Sequence, residues 1–225
     1  TKLFQVELLT TLSGECLDTL IYHRQLDDAW VQEATQVEKT LKIKVVGRSR
    51  GQKLVVSDDW ITEILVVEGR SLTYKQPEQA FIQPNGVVNQ EMLGWACAHA
   101  QNSNKDLLEL YCGIGNFTIP LSKHYRRVLA TEVSKVATRA AQETLVLNEV
   151  DNVAFARLAA EEVTQAMNGE REFRRLKSLD PRLSDYDLAT VFVDPPRAGL
   201  DEGTARLCQK FNQILYVSCN PCLLY

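Results

Sequence analysis

From residue 107 onward, the sequence alternates short apolar runs with segments of helical character. The helical segments include residues 134–148 and 201–211. Apolar strands that alternate with helices predict a mostly parallel sheet with helices on both faces. We therefore expect an α/β fold that binds its ligands at the carboxyl ends of its strands. The predicted strands are residues 107–111, 128–131, 153–158, 188–193 and 214–218.

The first 80 residues predict a smaller α/β region ahead of a second domain at 81–225. Asp27 and Asp28 are suitable caps for a helix that runs to about residue 41. A loop at 81–86 and a helix at 87–100 lead into the second domain. The strands predicted in the first region are residues 4–9, 16–22, a hairpin of 43–46 with 53–56, and 72–75.

Composition limits the classes of function. A net charge of −4 argues against a protein that binds nucleic acid by bulk electrostatics, although it allows a local basic face. One short stretch without acids is either a solvated hairpin or a patch that contacts phosphates. Its basic residues are Lys42, Lys44, Arg48, Arg50 and Lys53.

The chain carries no signal for secretion or membrane insertion. It lacks an apolar run of the roughly 20 residues that a bilayer requires, so we expect a cytoplasmic protein. It has no initiator Met and opens inside a predicted strand, so we expect a truncated N-terminus. The scattered cysteines fit reduced thiols. We expect four to be core residues: Cys16, Cys97, Cys112 and Cys208.

A glycine turn follows the first strand of the second domain. Gly113 and Gly115 allow the backbone to approach a bound cofactor, while Thr118 replaces the third glycine of a dinucleotide fingerprint and disfavours NAD. Glu132 ends the next strand about 20 residues later, where a carboxylate accepts bonds from ribose hydroxyls. Its alternative role is a neighbour of the helix cap at Ser134. S-adenosylmethionine fits this pair as well as any nucleotide.

An acidic turn ends the fourth strand of this domain. The sequence Asp194-Pro195-Pro196 stops a strand abruptly and holds a carboxylate at the mouth of a cleft. Methyltransferases that act on base amines often have an aromatic residue next. Arg197 in that position argues against amine methylation. A purely structural strand terminator is the alternative interpretation.

A cysteine follows the fifth strand. Cys219, at a strand end and before Pro221, is a candidate thiolate nucleophile toward an electrophilic ring carbon. By itself, such a cysteine is more often a buried core thiol. Cys219 and Cys222 also form a C-x-x-C pair, which suggests a redox pair or half of a zinc site. With no second pair in the chain, we expect no metal.

Together these motifs resemble the RNA uracil-5-methyltransferase family, over almost the whole chain. The stretch 159–169 is most similar to the bacterial tRNA branch, which forms ribothymidine in the T-loop. The segments that carry the resemblance are residues 81–85, 108–117, 193–200 and 217–221.

The resemblance implies a class I S-adenosylmethionine-dependent methyltransferase fold, Rossmann-like, preceded by an RNA-facing region. It implies tRNA as partner, no obligate protein partner, and Cys219 as a nucleophile that attacks C6 of uracil so that C5 accepts the methyl group. Substrate contacts are expected from Arg197, Asn220 and the basic stretch. The implied cofactor-binding residues include the two glycines of the turn. The full set is Gln83, Tyr111, Gly113, Gly115, Asn116, Glu132 and Asp194.

The end of the chain departs from the family pattern. The family has a carboxylate general base well beyond the cysteine, whereas this chain ends at Tyr225. We therefore expect the base and the last strands of the sheet to be missing, residues 214–218 to form an exposed edge, cofactor binding to be weak and turnover poor. Two other functions stay open: a catalytically incomplete RNA-binding module, and a thiol–disulfide protein that uses Cys219 and Cys222.

Overall fold

The computed structural model describes residues 2–100 and 103–220. Its first region is a four-stranded sheet of order β1-β2-β3-β4, in which β2 and β3 are parallel and the other pairs antiparallel. One helix, α1, begins after Asp27, whose carboxylate accepts from the Trp30 backbone N–H at 3.0 Å. The bounds are β1 (Leu3–Thr10), β2 (Cys16–Tyr22), α1 (Asp28–Leu41), β3 (Lys44–Ser49) and β4 (Gln52–Val55).

Gly47, in β3, sets how closely α1 packs on this sheet. A Cβ at Gly47 would lie 2.3 Å from Cη2 of Trp30 and 2.6 Å from Cδ1 of Leu26. Both neighbours are buried core residues, so neither ring nor methyl group has free space to move into. The close approach of helix and sheet therefore requires glycine here.

We expect Gly47→Val to lower the free energy of unfolding by about 3 kcal/mol, because it overpacks this core. The matched control is Gly94→Ala, since a Cβ at Gly94 meets no atom within 4 Å. That helical site should gain up to about 1 kcal/mol. Urea unfolding followed by circular dichroism measures both changes. Equal stability of the two variants would contradict the packing argument.

A two-stranded hairpin, β5 (Trp60–Val67) and β6 (Arg70–Pro77), follows the first sheet. The sequence analysis predicted part of β6 and missed β5. Leu65 and Leu72 of the hairpin share a buried core with the second domain. The Thr73 backbone N–H also donates to the side chain of Asn148, at 2.9 Å. The hairpin therefore packs with the second domain, and the division near residue 80 stays a prediction.

The second domain contains the predicted parallel sheet. Five strands follow the order β11-β10-β7-β8-β9, and every neighbouring pair is parallel. Its two faces bury separate apolar clusters, one around Phe192 and one around Val191. The bounds are α2 (Gly86–His99), β7 (Ser103–Leu110), α3 (Thr118–Leu121), β8 (Tyr125–Thr131), α4 (Lys135–Leu147), β9 (Val153–Ala156), α5 (Ala160–Met167), α6 (Arg174–Lys177), β10 (Leu188–Val193), α7 (Glu202–Cys208) and β11 (Gln213–Tyr216).

This sheet confirms the predicted α/β class, and it places β11 at an edge within the described residues. Ile214 on that strand is exposed, whereas Leu215 is buried. None of the helices in the described part of the chain combines the length and apolar character of a membrane span.

One local prediction is wrong. Cys16 is only half-buried, because it lies at the start of β2, whereas the other three predicted core cysteines are buried. The charged segment between Gly169 and Asp187 is anchored to the second domain. Its residues Phe173 and Leu176 are buried in the cluster around Val191, so apolar packing anchors the segment to the sheet.

Candidate active site

The carboxyl ends of the parallel strands open into a cavity of about 700 Å³. A volume of this size suits a small-molecule ligand. Residues far apart in the sequence meet here, because parallel strands end at the same edge of a sheet. The predicted site residues that line the cavity are Gln83, Tyr111, Gly113, Asn116, Glu132, Asp194, Arg197 and Cys219.

The loop after β7 has an unusual backbone. Tyr111 adopts φ +60°, and Gly113 and Gly115 adopt φ +56° and +84°. Left-handed backbone at a non-glycine residue such as Tyr111 is strained and is frequent at functional sites. Gly115 lies outside the cavity lining, and a Cβ there would be 3.5 Å from Cβ of Ala141 on α4. Gly115 therefore shapes the loop, whereas Gly113 faces the cavity.

Glu132 ties this loop to the helix that follows β8. One carboxylate oxygen accepts from the Gly113 backbone N–H at 3.1 Å, and the other accepts from the Ser134 N–H at 2.7 Å. Ser134 itself caps α4, because its hydroxyl accepts from the Ala137 N–H at 3.3 Å. Glu132 is therefore a neighbour of the α4 cap, and its role as an acceptor for ribose hydroxyls stays a prediction. Each of its oxygens keeps a lone pair for a ligand in the cavity.

Two carboxyl groups lie at the ends of β10 and β7. Burial raises the pKa of Asp194 to about 6, and the Gln83 amide donates to its Oδ2 at 3.4 Å. Glu109 is fully buried, and burial first, then the charge of Asp194, raises its pKa to about 8. Glu109 is therefore a neutral acid at pH 7. The sequence analysis missed it, because a carboxyl inside an apolar strand has no recognisable spacing signal.

Cys219 presents an exposed thiol to the cavity, so the alternative of a buried core thiol is wrong. The turn that holds it is closed by Ser218, whose hydroxyl donates to the Asn220 carbonyl at 3.0 Å and accepts from the Asn220 N–H at 3.1 Å. Asn220 is half-buried and lies outside the cavity lining. Pro221 and Cys222 lie outside the described residues, so the C-x-x-C interpretation stays open.

Several lining residues were not predicted from the sequence. Phe81 stands at the cavity with 75% of its surface exposed, next to the predicted Gln83. Asn89 and Met92 reach the cavity from α2. The one signal in the sequence was an aromatic residue, Phe81, two positions before the predicted Gln83. Asn89 and Met92 gave no signal, because their spacing is that of one turn of an ordinary helix.

The basic stretch of the first region is largely neutralised by acids from elsewhere in the chain. Lys44 pairs with Asp58 at 3.3 Å and with Glu15 at 3.6 Å. Arg48 and Lys53 both contact Glu78. None of the five basic residues lines the described cavity, and Lys42 and Arg50 are exposed. The phosphate-contacting patch therefore stays a prediction, with three of its cations already paired.

A second group of polar residues lies outside the cavity. Glu68, Cys97 and His124 bring potential metal ligands within 4.8 Å of one another. Burial, with the charge of Glu68, raises the pKa of Cys97 to about 12, so its thiol is neutral. Glu68 and His124 approach to 3.4 Å as a side-chain pair. The expectation that the protein needs no metal stays a prediction.

The sheet order, the glycine turn after the central strand β7, the acid after β8 and the cavity at their carboxyl ends define the class of protein. These are the features of a class I S-adenosylmethionine-dependent methyltransferase fold. The chain belongs to the tRNA (uracil-5-)-methyltransferase family, whose model matches residues 1–225. The family resemblance of the sequence motifs is thereby confirmed.

Curated relatives carry a similar name. The chain is 55% identical over 224 residues to the tRNA/tmRNA (uracil-C(5))-methyltransferase of Acinetobacter baylyi. The match covers 100% of this chain and 62% of that relative. The protein of that name from Pseudomonas entomophila is 54% identical over 220 residues, 98% of this chain and 60% of the relative. The chain therefore spans about three fifths of the length of these relatives.

A solved structure shows the same fold. The Pyrococcus abyssi tRNA (uracil-54, C5)-methyltransferase in complex with S-adenosyl-L-homocysteine matches with a TM-score of 0.65 and 21% sequence identity. The match covers 97% of this chain and 50% of that chain. This likeness supports the predicted methyltransferase fold.

Proposed function

We propose that this protein methylates C5 of a uridine in the T-loop of tRNA, with S-adenosylmethionine as donor and a covalent bond between Cys219 and C6 of the base. One observation carries the proposal. The exposed thiol of Cys219 shares a single cavity with the glycine turn and with the carboxylates of Glu132 and Asp194. A nucleophile for the base and a pocket for the donor are therefore adjacent.

The lining residues fit the donor. We expect Glu132 to accept bonds from ribose hydroxyls, and the Asp194 carboxyl suits a cationic or hydroxylated ligand. Gly113 leaves open space beside the loop, since a Cβ there would meet nothing within 4 Å. When bound, S-adenosylmethionine supplies an electrophilic methyl group. The residues that would hold it are Gln83, Tyr111, Gly113, Asn116, Glu132 and Asp194.

Cys219 supplies the chemistry that activates the base. Carbon C5 of uracil is a poor nucleophile, and attack of the thiolate on C6 pushes electron density onto C5. After C5 has taken the methyl group, loss of its proton restores the ring double bond and expels the Cys219 thiolate. The electron pair of the C5–H bond forms the C5–C6 double bond, and the pair of the S–C6 bond leaves with the thiolate. The donor, when bound, would leave as S-adenosyl-L-homocysteine once its methyl group is transferred. The proton acceptor is not assigned among the described residues.

The names of the relatives and the accessibility of bases in loops support the T-loop as the target. The family is named for tRNA, and the Pyrococcus abyssi protein is named for uracil-54. A base reaches the cavity only when it is turned out of its stack, which is easier in a loop than in a duplex. Arg197 is exposed at the cavity, and we expect it to contact a phosphate or base of such a loop.

Single-turnover methylation tests the proposal. Protein in excess is incubated with unmodified tRNA and methyl-labelled S-adenosylmethionine, and the tRNA is then digested to nucleosides. We expect the label in 5-methyluridine, and none in a control tRNA whose T-loop target uridine is replaced by cytidine. Label in a methylated amine of another base, or binding of tRNA with no transfer at all, would contradict the proposal.

The role of Glu132 gives a second prediction. We expect Glu132→Gln to raise the dissociation constant for S-adenosyl-L-homocysteine by about 10- to 100-fold, because charge-assisted bonds to a ligand are lost. The matched control is Ser134→Ala, which removes the α4 cap but keeps the carboxylate. Isothermal titration calorimetry measures both. If the control weakens binding as much as Glu132→Gln, Glu132 acts only through the helix.

A further inference from the structure

Asn89, on α2, forms a pair of hydrogen bonds with a residue of the glycine loop. Its Nδ2 donates to Oδ1 of Asn116 at 2.9 Å, and Nδ2 of Asn116 donates back to Oδ1 of Asn89 at 2.8 Å. Asn89 is only 4% exposed, and both amides line the cavity. A buried polar side chain in a helix needs such partners, and here both partner atoms belong to one amide.

The two hydrogen bonds with Asn89 fix the orientation of the Asn116 side-chain amide. Each amide uses one N–H and one oxygen lone pair in the pair, and keeps one N–H and one lone pair. Rotation of one amide alone by a half turn would set N–H against N–H and oxygen against oxygen. The Tyr74 hydroxyl also donates to the Asn116 backbone carbonyl, at 3.0 Å. The helix α2 therefore holds the side chain of Asn116, and the β5–β6 hairpin holds its main chain.

We propose that Asn89 is a positioning residue, which orients the Asn116 amide toward the methyl donor. The proposal rests on the function proposed above, in which Asn116 is part of the donor pocket. Asn89 stands on the helix that directly follows the loop of Gln83. The amide pair therefore joins two walls of the cavity, and the free N–H and lone pair of Asn116 are set before a ligand arrives. Preorganisation of this kind adds affinity, because less ordering remains to be done on binding.

A double-mutant cycle tests this coupling. The dissociation constant for S-adenosyl-L-homocysteine is measured by calorimetry for Asn89→Ala, Asn116→Ala and the double variant. We expect each single change to weaken binding about tenfold, which is about 1.4 kcal/mol. The double variant should be little weaker than either single variant, because both remove the same oriented amide. An unchanged constant for Asn89→Ala, or a loss of about 100-fold in the double variant, would overturn the proposal.

Further variants separate positioning from stability. If Asn89→Ala does not fold, Asn89→Asp keeps the shape and can accept from Asn116, but it cannot donate when ionised. We expect its affinity relative to the unaltered protein to recover as the pH is lowered and the introduced carboxyl regains a proton to donate. A constant ratio at every pH would contradict a positioning role. Tyr74→Phe is the control, since it removes the main-chain contact and keeps the amide pair, so we expect its affinity relative to the unaltered protein to stay constant with pH.

The same titrations separate failure of this inference from failure of the proposed function. If the unaltered protein does not bind S-adenosyl-L-homocysteine, the proposed function and the positioning role both fall. If it binds and Asn89→Ala binds equally well, only the positioning role falls.

Discussion

The Cys219→Ser variant is expected to lose the covalent adduct that the unaltered protein forms with tRNA containing 5-fluorouridine in the presence of S-adenosylmethionine. Fluorine at C5 cannot leave as a proton does, so elimination of the thiol is blocked and the adduct accumulates. A serine hydroxyl is far less ionised than a thiol and cannot start the reaction. We expect adduct formation to fall by about a thousandfold or more.

Denaturing gel electrophoresis measures this adduct, since a covalent complex survives denaturation. The control is Cys16→Ser, because Cys16 is half-buried in the first region and lies outside the cavity. Adduct formation by Cys219→Ser would show that another nucleophile acts. If the unaltered protein binds tRNA and forms no adduct, it is an RNA-binding module. A reversible Cys219–Cys222 disulfide in a redox titration would support the thiol–disulfide alternative instead.

The second large effect concerns Glu109, whose pKa is raised by burial from an ordinary value of 4.5 to about 8. The folded protein therefore holds this proton more tightly than the unfolded chain does. Stability from this group is fully present below about pH 4.5 and is lost as the pH rises toward about 8. The slope is about 1.4 kcal/mol per pH unit within that window. Glu109→Gln cannot titrate, so we expect the variant to lack this loss of stability.

Urea unfolding at intervals from pH 5 to pH 8 measures the slope for both proteins. Asp194, with a pKa of about 6, contributes a slope of similar size and the same sign, but only below about pH 6, and this part should remain in Glu109→Gln. The control is Glu143→Gln. The pKa of Glu143 is lowered by Lys75, so this residue is ionised in both states across the window and should leave the slope unchanged. Parallel curves for Glu109→Gln and the unaltered protein would show that Glu109 is not held as a neutral acid.

Much of the second domain was predictable, because its signals are local. The runs that became β7, β8, β10 and β11 are apolar and end in turn residues. In contrast, β5 was missed, since its inward-facing positions include Glu63. That carboxylate is only 4% exposed and accepts from the Leu12 backbone N–H at 3.0 Å, a contact across 51 residues of sequence. A charged residue at a core position hides the alternation that predicts a strand.

Local sequence patterns are sufficient to predict which residues meet at the site. Motifs at the ends of parallel strands must lie at one edge of the sheet, so Gly113, Glu132, Asp194 and Cys219 share a cavity. How these residues are held and charged depends instead on contacts between distant parts of the chain. The pairing of Asn89 with Asn116 depends on where α2 packs, and no local periodicity specifies that contact. The same holds for the charge state of Glu109, because burial by distant elements sets its pKa.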